Sequence, residues 1–106
     1  MKLFVYGTLM DDALVVQLTG RRLAKRTARL HAFRRITAEN GYPNIVPDIG
    51  AVVDGYLLCD VDTTALQAFD AYEEEGRLYR RTDVVVTSDG RATHAQAYVG
   101  ISTAGV

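Results

Sequence analysis

Cysteine, proline and tryptophan are scarce in this sequence, and their scarcity excludes several kinds of protein. Its 106 residues include one cysteine, two prolines and no tryptophan. Cys59 has no partner for a disulfide within the chain, and no pair of thiolates is available for a zinc site. A chain of this length can build one apolar core without a disulfide or a zinc site, so we predict a single domain over residues 1–106.

Long apolar runs and the common catalytic motifs are absent as well. No apolar stretch approaches the ~18 residues of a membrane-spanning helix, and the N-terminal run is too short for a signal peptide, so we expect a cytoplasmic protein. The sequence has no G-x-x-x-x-G-K, G-x-G-x-x-G or G-x-S-x-G motif. His31 and His94 stand far apart, outside any metal-binding spacing. We therefore expect neither a metal ion nor another cofactor, and no serine nucleophile.

Positive charge is concentrated in one segment, although the chain as a whole is balanced. Lysine and arginine number 12 against 13 acidic residues, for a net charge of −1. Residues 21–35 hold seven of the twelve cations and no acid. Such a segment can bind the phosphates of RNA, and salt-sensitive binding would be its signature. We predict exposed charges and no nucleic-acid partner, because the overall charge is slightly negative and few aromatic side chains lie among these cations.

Apolar patterning and turn residues divide the chain into alternating strands and helices. The predicted elements are a strand at 2–6, a helix at 11–20, a strand at 27–33, a loop at 39–50, a strand at 51–61, a helix at 62–76, and two strands within 82–100 joined by a turn at 88–90. The second half is hairpin-like. This order favours an α+β fold, as a mixed sheet or small β-barrel with flanking helices, over a doubly wound parallel sheet.

The segment VYGTLMDD joins the first strand to the first helix through Gly7. Free backbone N–H groups at a helix start attract anions, and glycine allows a ligand to approach the backbone closely. Strand–glycine–helix connections are common, so this segment alone does not indicate a binding site.

Three consecutive glutamates, Glu73 to Glu75, close the second predicted helix, where the helix dipole disfavours negative charge. Leu66, Phe69 and Glu73 recur at i, i+3 and i+7, so Glu73 shares the apolar face while its two neighbours turn away. A carboxyl group on that face would be desolvated and its pKa raised, as a general base near neutral pH requires. The residues alone leave open whether the run is a tolerated surface feature or serves chemistry.

Several segments together resemble one known family. FVYGTL, GYPNIVPD, VVDGYLLCDV and FDAYEEEGRLYRRTDVVV follow one another in the order typical of the γ-glutamylcyclotransferase-like family, which includes the AIG2-like proteins. YGTL is similar to the family's Tyr-Gly-Ser/Thr-x loop, DAYE to its Asp-x-x-Glu segment and LYRR to the Tyr-x-Arg that follows. The resemblance extends from Lys2 to about Tyr98.

The resemblance implies a small mixed β-barrel with flanking helices and a pocket at the end of the first strand. It implies that Glu73 is the catalytic acid and base. The implied substrate-binding residues are Tyr6, Gly7, Thr8, Leu9 and Tyr79. For Arg81, a structural ion pair is as much expected as a ligand contact. Glu74 and Glu75 depart from the family's usual Glu-Gly, and they add negative charge near a substrate that itself carries a carboxylate.

The activity implied is release of 5-oxoproline from a small γ-glutamyl compound by intramolecular aminolysis, without a cofactor or a covalent intermediate. The alternative is a small-ligand binding or regulatory domain on the same fold, which would keep the pocket and turn nothing over. The leaving amine and the oligomeric state stay open at this point.

Overall fold

A computed structural model describes residues 1–101 of the protein, and these residues form five strands and two α-helices. The elements are β1 (Leu3–Val5), α1 (Asp12–Thr19), β2 (Lys25–Thr37), β3 (Pro43–Leu58), α2 (Thr63–Glu73), β4 (Tyr79–Ser88) and β5 (Arg91–Gly100), with a 3-10 turn at Thr8–Met10 between β1 and α1. The predicted α+β class is confirmed. The last five residues of the predicted domain, 102–106, lie outside the described residues.

The strands close into a mixed barrel in the order β1-β3-β2-β4-β5. β1 runs parallel to β5 and antiparallel to β3, and the remaining pairs are antiparallel. β2 and β4 meet through a single register pair, Arg29 with Thr87. The hydroxyl of Ser88 supports this junction by donating to the main-chain oxygen of Thr27 at 2.9 Å. The predicted small mixed β-barrel with flanking helices is therefore confirmed.

β1 supplies side chains to two apolar cores, because successive residues of a strand point to opposite sides. Leu3 and Val5 pack with Phe69 of α2 in the core beneath the helices. Phe4 packs with Leu57 and other strand residues in the core inside the barrel. All three residues of β1 are buried, which is why this short strand can position the segment that follows it.

Acidic side chains cap both helices at their N-termini. Asp11 accepts a hydrogen bond from the Ala13 N–H at 2.9 Å, and Asp62 accepts one from the Ala65 N–H at 2.8 Å. Gly20 follows α1 and caps its C-terminus, and its φ of 80° is the left-handed conformation that glycine adopts without strain. Within residues 1–101, no helix is long and apolar enough to cross a membrane.

The predicted loop at 39–50 is wrong for residues 43–50, which form the first half of β3. Residues 43–47 pair with residues 33–37 of β2 in a hairpin whose turn is closed by the Ala38 N–H donating to the Tyr42 oxygen. The two prolines that suggested a loop occupy positions at which a strand tolerates proline. Pro43 begins the strand, and Pro47 lies beside an irregularity in the pairing with β2. The predicted strand at 27–33 is correspondingly longer.

Candidate active site

A cavity of about 140 Å³ opens where the chain leaves β1 and enters the 3-10 turn. The end of α2 forms one side, and the start of β4 together with the β2–β3 turn forms another. All six residues that the sequence singled out line it: Tyr6, Gly7, Thr8, Leu9, Glu73 and Tyr79. Segments more than 60 residues apart in the sequence therefore meet at one place.

Glu73 is the last residue of α2, and Glu74 then takes the left-handed conformation with a φ of 52°. One turn earlier, the fully buried Phe69 fixes this face of the helix against the core. Glu73 itself is half-buried. Desolvation raises its pKa from the ordinary value of 4.5 to about 7, and within the described residues no hydrogen bond or cation opposes the shift. This carboxyl group can therefore gain and lose a proton near neutral pH.

Within residues 1–101, the carboxylates of Glu74 and Glu75, unlike that of Glu73, accept hydrogen bonds from neighbouring groups. The Glu74 carboxylate accepts hydrogen bonds from the Arg77 guanidinium at 2.6 and 2.9 Å. Glu75 accepts a hydrogen bond from the Arg81 backbone N–H at 3.1 Å. Both side chains are exposed, although Glu74 also borders the cavity, which the helical spacing did not indicate.

Two tyrosines shape the cavity wall through hydrogen bonds to the main chain. The Tyr6 hydroxyl donates to the Tyr98 carbonyl oxygen, and the Tyr79 hydroxyl donates to the Pro43 carbonyl oxygen at 2.6 Å. Burial raises the pKa of both hydroxyls, and the negative charge of Glu73 raises it further. Both groups stay protonated near neutral pH, so they serve as fixed walls and donors and do not compete with Glu73 as a base.

The 3-10 turn leaves backbone donors at the cavity. Its first internal hydrogen bonds run from the Met10 N–H to the Gly7 oxygen at 3.0 Å and from the Asp11 N–H to the Thr8 oxygen at 3.1 Å. The N–H groups of Thr8 and Leu9 precede these bonds and have no acceptor within the turn. A cavity that combines such donors with a carboxyl group of raised pKa can polarise a carbonyl and move a proton.

Tyr72 and Tyr98 also line the cavity, and the sequence reasoning did not single them out. The Tyr72 hydroxyl and the Thr8 hydroxyl form a hydrogen bond of 2.9 Å between α2 and the 3-10 turn. Tyr72 directly precedes Glu73, so its place in the DAYE segment was the available signal. Tyr98 had no local signal, because its position depends on how β5 pairs.

Asp70, one turn before Glu73, joins α2 to the barrel. Its carboxylate forms an ion pair with the Arg81 guanidinium and accepts a hydrogen bond from the Tyr98 hydroxyl at 2.6 Å. Arg81 also donates through Nε to the Gln96 side-chain oxygen at 2.8 Å. Of the two roles expected for Arg81, the structure has the ion pair, and Arg81 does not line the cavity. The sequence reasoning assigned no role to Asp70.

A model of the family described as gamma-glutamyl cyclotransferase, AIG2-like, matches residues 3–104 of the chain. Among solved structures, an Arabidopsis thaliana protein aligns with a TM-score of 0.85 and 27% identity, over 97% of this chain and 70% of that one. An AIG2-like protein from Mus musculus aligns with a TM-score of 0.78 over 98% of this chain and 79% of that one. At 24% identity, the mouse protein supports the fold alone.

Two curated relatives are similar in sequence. AIG2-like protein C from Arabidopsis thaliana is 29% identical over 92% of this chain, and a gamma-glutamylcyclotransferase and putative RNase from Methanocaldococcus jannaschii is 29% identical over 91%. The chain spans only 57% and 44% of the lengths of these two relatives. The family match, in contrast, covers nearly the whole of this chain. The chain therefore belongs to the gamma-glutamyl cyclotransferase, AIG2-like family.

Proposed function

We propose that this domain is a γ-glutamylcyclotransferase-type enzyme that releases 5-oxoproline and a free amine or amino acid from a small γ-glutamyl compound. The observation that carries the proposal is Glu73, a half-buried carboxyl group with a pKa of about 7 at a cavity bordered by the 3-10 turn. Family membership supports the same reaction class.

In the proposed reaction, Glu73 first takes a proton from the substrate's α-ammonium group. The freed amine nitrogen attacks the γ-carbonyl carbon of the same residue, and a five-membered ring closes. The bond between that carbon and the leaving nitrogen then breaks as Glu73 returns the proton to the leaving nitrogen and the carbonyl re-forms. The ring nitrogen gives up its second proton to the released amine, which departs as an ammonium ion and leaves Glu73 as the carboxylate. Because one group first accepts and then donates the proton, its pKa should lie near the working pH, and the pKa of about 7 at Glu73 suits a reaction near neutral pH.

The backbone N–H groups of Thr8 and Leu9 are the proposed donors to the tetrahedral oxygen. A preorganised donor of this kind contributes about 3 kcal/mol to the stability of a transition state. Gly7 keeps the approach to these donors open, because a Cβ added there would lie 3.2 Å from the Pro43 Cγ and fill the space between them. Tyr6 and Tyr79, fixed by their main-chain hydrogen bonds, would keep the folded substrate against the turn.

The cavity volume favours recognition of the glutamyl end over the leaving group. At about 140 Å³ it is close to the ~150 Å³ of an engineered cavity that takes up benzene. Only one compact group of that size fits inside, so the leaving amine would extend beyond the mouth. Holding the glutamyl chain folded supplies much of the rate enhancement, because the reaction is intramolecular.

The test is to incubate the purified protein with a panel of γ-glutamyl amino acids and γ-glutamyl amines and to follow 5-oxoproline by mass spectrometry. Glu73→Gln should lower turnover by at least about 100-fold, in line with the contribution of a general acid–base group. Glu75→Gln is the matched control, because Glu75 is an exposed neighbour that does not line the cavity. It should keep most of the activity.

If Glu73→Gln retained wild-type turnover, the assignment of Glu73 would be wrong. If the wild-type protein formed no 5-oxoproline from any panel member but bound one of them unchanged, the binding-domain alternative would replace the enzyme.

The proposal includes a small-molecule substrate and no nucleic-acid partner. Six of the seven cations in residues 21–35 form salt bridges with acids from elsewhere in the chain, which lowers the charge available to phosphates. Salt-sensitive binding of RNA near physiological ionic strength would argue against this part of the proposal. The cytoplasmic location stays a prediction.

A further inference from the structure

The charge of the cavity raises a question about the proposed substrate. A γ-glutamyl group carries an α-carboxylate beside the amine that attacks. Among residues 1–101, those that line the cavity include Glu73 and Glu74 but no lysine or arginine. A substrate carboxylate there would lie near negative charge in a partly desolvated site, which is unfavourable without a cation.

Arg35 places a cation on the cavity side of the β2–β3 hairpin. It is paired in register with Ile45, and residues directly opposite each other in an antiparallel pair project to the same face. Ile45 is buried in the barrel core together with Tyr6. The diagonal neighbour of Arg35 on that face is Pro43, which lines the cavity and lies within reach of a long side chain.

Arg35 differs from the other cations of its segment in having no salt bridge among residues 1–101. The other six cations of residues 21–35 each pair with an acid. Its neighbour Arg34 projects to the opposite face and pairs with Asp48 at 3.2 Å. Arg35 also lies close enough to act on the cavity wall. Burial raises the pKa of the Tyr6 hydroxyl, and the positive charge of Arg35 lowers it.

We infer that Arg35 binds the α-carboxylate of the γ-glutamyl substrate, an inference that rests on the proposed function. The guanidinium group donates two parallel hydrogen bonds to a carboxylate, which fixes orientation as well as charge. Because the α-carbon carries both the carboxylate and the amine, holding the first also directs the second towards the γ-carbonyl. Arg35 would thus select γ-glutamyl compounds with a free α-carboxylate over their α-amides.

The first experiment measures binding of 5-oxoproline and of its α-amide by calorimetry to the wild type and to Arg35→Gln. Because Arg35→Gln removes a charge-assisted hydrogen bond, its affinity for 5-oxoproline should be about 10- to 100-fold lower than that of the wild type. Its affinity for the neutral amide should change by less than about twofold. Arg34→Gln is the matched control, with the same loss of charge one residue away on the other face. It should bind 5-oxoproline as the wild type does. Arg35→Lys should recover part of the affinity, because it keeps the charge and loses the bidentate geometry.

The second experiment measures KM and kcat for whichever panel member the wild type turns over. Arg35→Gln should raise KM by about 10-fold or more and change kcat less. Equal effects of Arg34→Gln and Arg35→Gln, or an unchanged KM in Arg35→Gln, would overturn the inference and leave the enzyme in place. Absence of turnover, with 5-oxoproline binding that depends on Arg35, would overturn the enzyme and leave the carboxylate site. Absence of both turnover and binding would overturn both.

Discussion

Glu73 differs from Glu74 and Glu75 in environment and not in chemistry. Three identical side chains follow one another, yet desolvation raises the pKa of Glu73 to about 7, whereas Glu74 binds Arg77 at the surface. The difference arises from the position of Glu73 on the apolar side of α2. The proposed catalytic role therefore depends on how deeply a single carboxyl group is buried.

Glu73→Gln should stabilise the fold at neutral and alkaline pH. The folded-state pKa of Glu73 lies above its ordinary value of 4.5, so between about pH 4.5 and 7 the folded protein binds more protons than the unfolded chain and wild-type stability falls as pH rises. Glutamine is not subject to this loss. We expect the variant to be more stable than the wild type by about 1–2 kcal/mol at pH 8, after discounting for solvent screening at this half-buried site.

Urea unfolding at pH 4 and pH 8 checks this prediction. The advantage of Glu73→Gln over the wild type should shrink towards zero at pH 4. At that pH the Glu73 carboxyl group is protonated in the folded protein and mostly protonated in the unfolded chain, so the wild type buries no charge there. An advantage of the same size at both pH values would show that burial of charge at Glu73 is not the cause.

The polar contacts of Asp70 join α2 to β4, and the position of Glu73 depends on this joint. Asp70 lies one turn before Glu73 and binds both Arg81 of β4 and Tyr98 of β5. Tyr98 in turn accepts a hydrogen bond from the Tyr6 hydroxyl through its main-chain oxygen. The cavity walls and the end of α2 are therefore held by one connected set of polar contacts.

Asp70→Asn should lower stability by about 1–3 kcal/mol, because it removes one partner of a partly buried ion pair. It should also lower kcat by about 10-fold through the misplacement of Glu73. Thermal unfolding and kinetics of 5-oxoproline formation are the measurements. Asp54→Asn, which breaks the exposed pair with Arg29, is the control and should change stability by less than about 1 kcal/mol. If both variants behaved as the wild type, the joint would have no positioning role.

Contact between β1 and β3 requires a glycine at position 55. A Cβ added to Gly55 would lie 2.3 Å from the Val5 main-chain oxygen and 2.9 Å from the Phe4 ring. Gly55→Ala should therefore destabilise the protein by about 3 kcal/mol or more, through overpacking against backbone that cannot move aside. Gly50→Ala is the matched control, because a Cβ added there meets nothing within 4 Å. A melting temperature for Gly55→Ala equal to that of Gly50→Ala would contradict this packing argument.

Across the described part of the molecule, the two cores share β1 and should unfold together. Leu3 belongs to the core beneath the helices and Phe4 to the core inside the barrel, yet the two residues are adjacent. Loss of either core would remove the strand that the other needs. The protein should therefore show a single cooperative transition, as small domains usually do.

Leu3→Ala and Phe4→Ala should each lower stability by about 2–5 kcal/mol and each shift that transition as a whole. Far-ultraviolet circular dichroism and tyrosine fluorescence should give coincident unfolding curves for both variants. Separate transitions, with only one moved by each substitution, would show that the helical side and the barrel unfold independently.

Local sequence patterns were sufficient to predict much of this architecture. The short apolar run, the capping aspartates, Gly20 and the helical spacing around Phe69 each act within a few residues, so they are readable before the fold is known. The same spacing indicated Glu73 as the glutamate on the apolar side of α2, because that side is set by the helix itself.

Tertiary structure alone decided the features that depend on strand pairing. Residues 43–50 appear loop-like because of their prolines, and only the long hairpin with β2 makes them a strand. The segment 21–35 contains no acid, and the folded chain brings acids from distant segments to most of its cations. The register with Ile45 sets the face of Arg35, and the return of β4 and β5 joins Arg81 and Tyr98 to Asp70. Contacts between residues far apart in sequence have no periodic signature, so no local pattern could have revealed them.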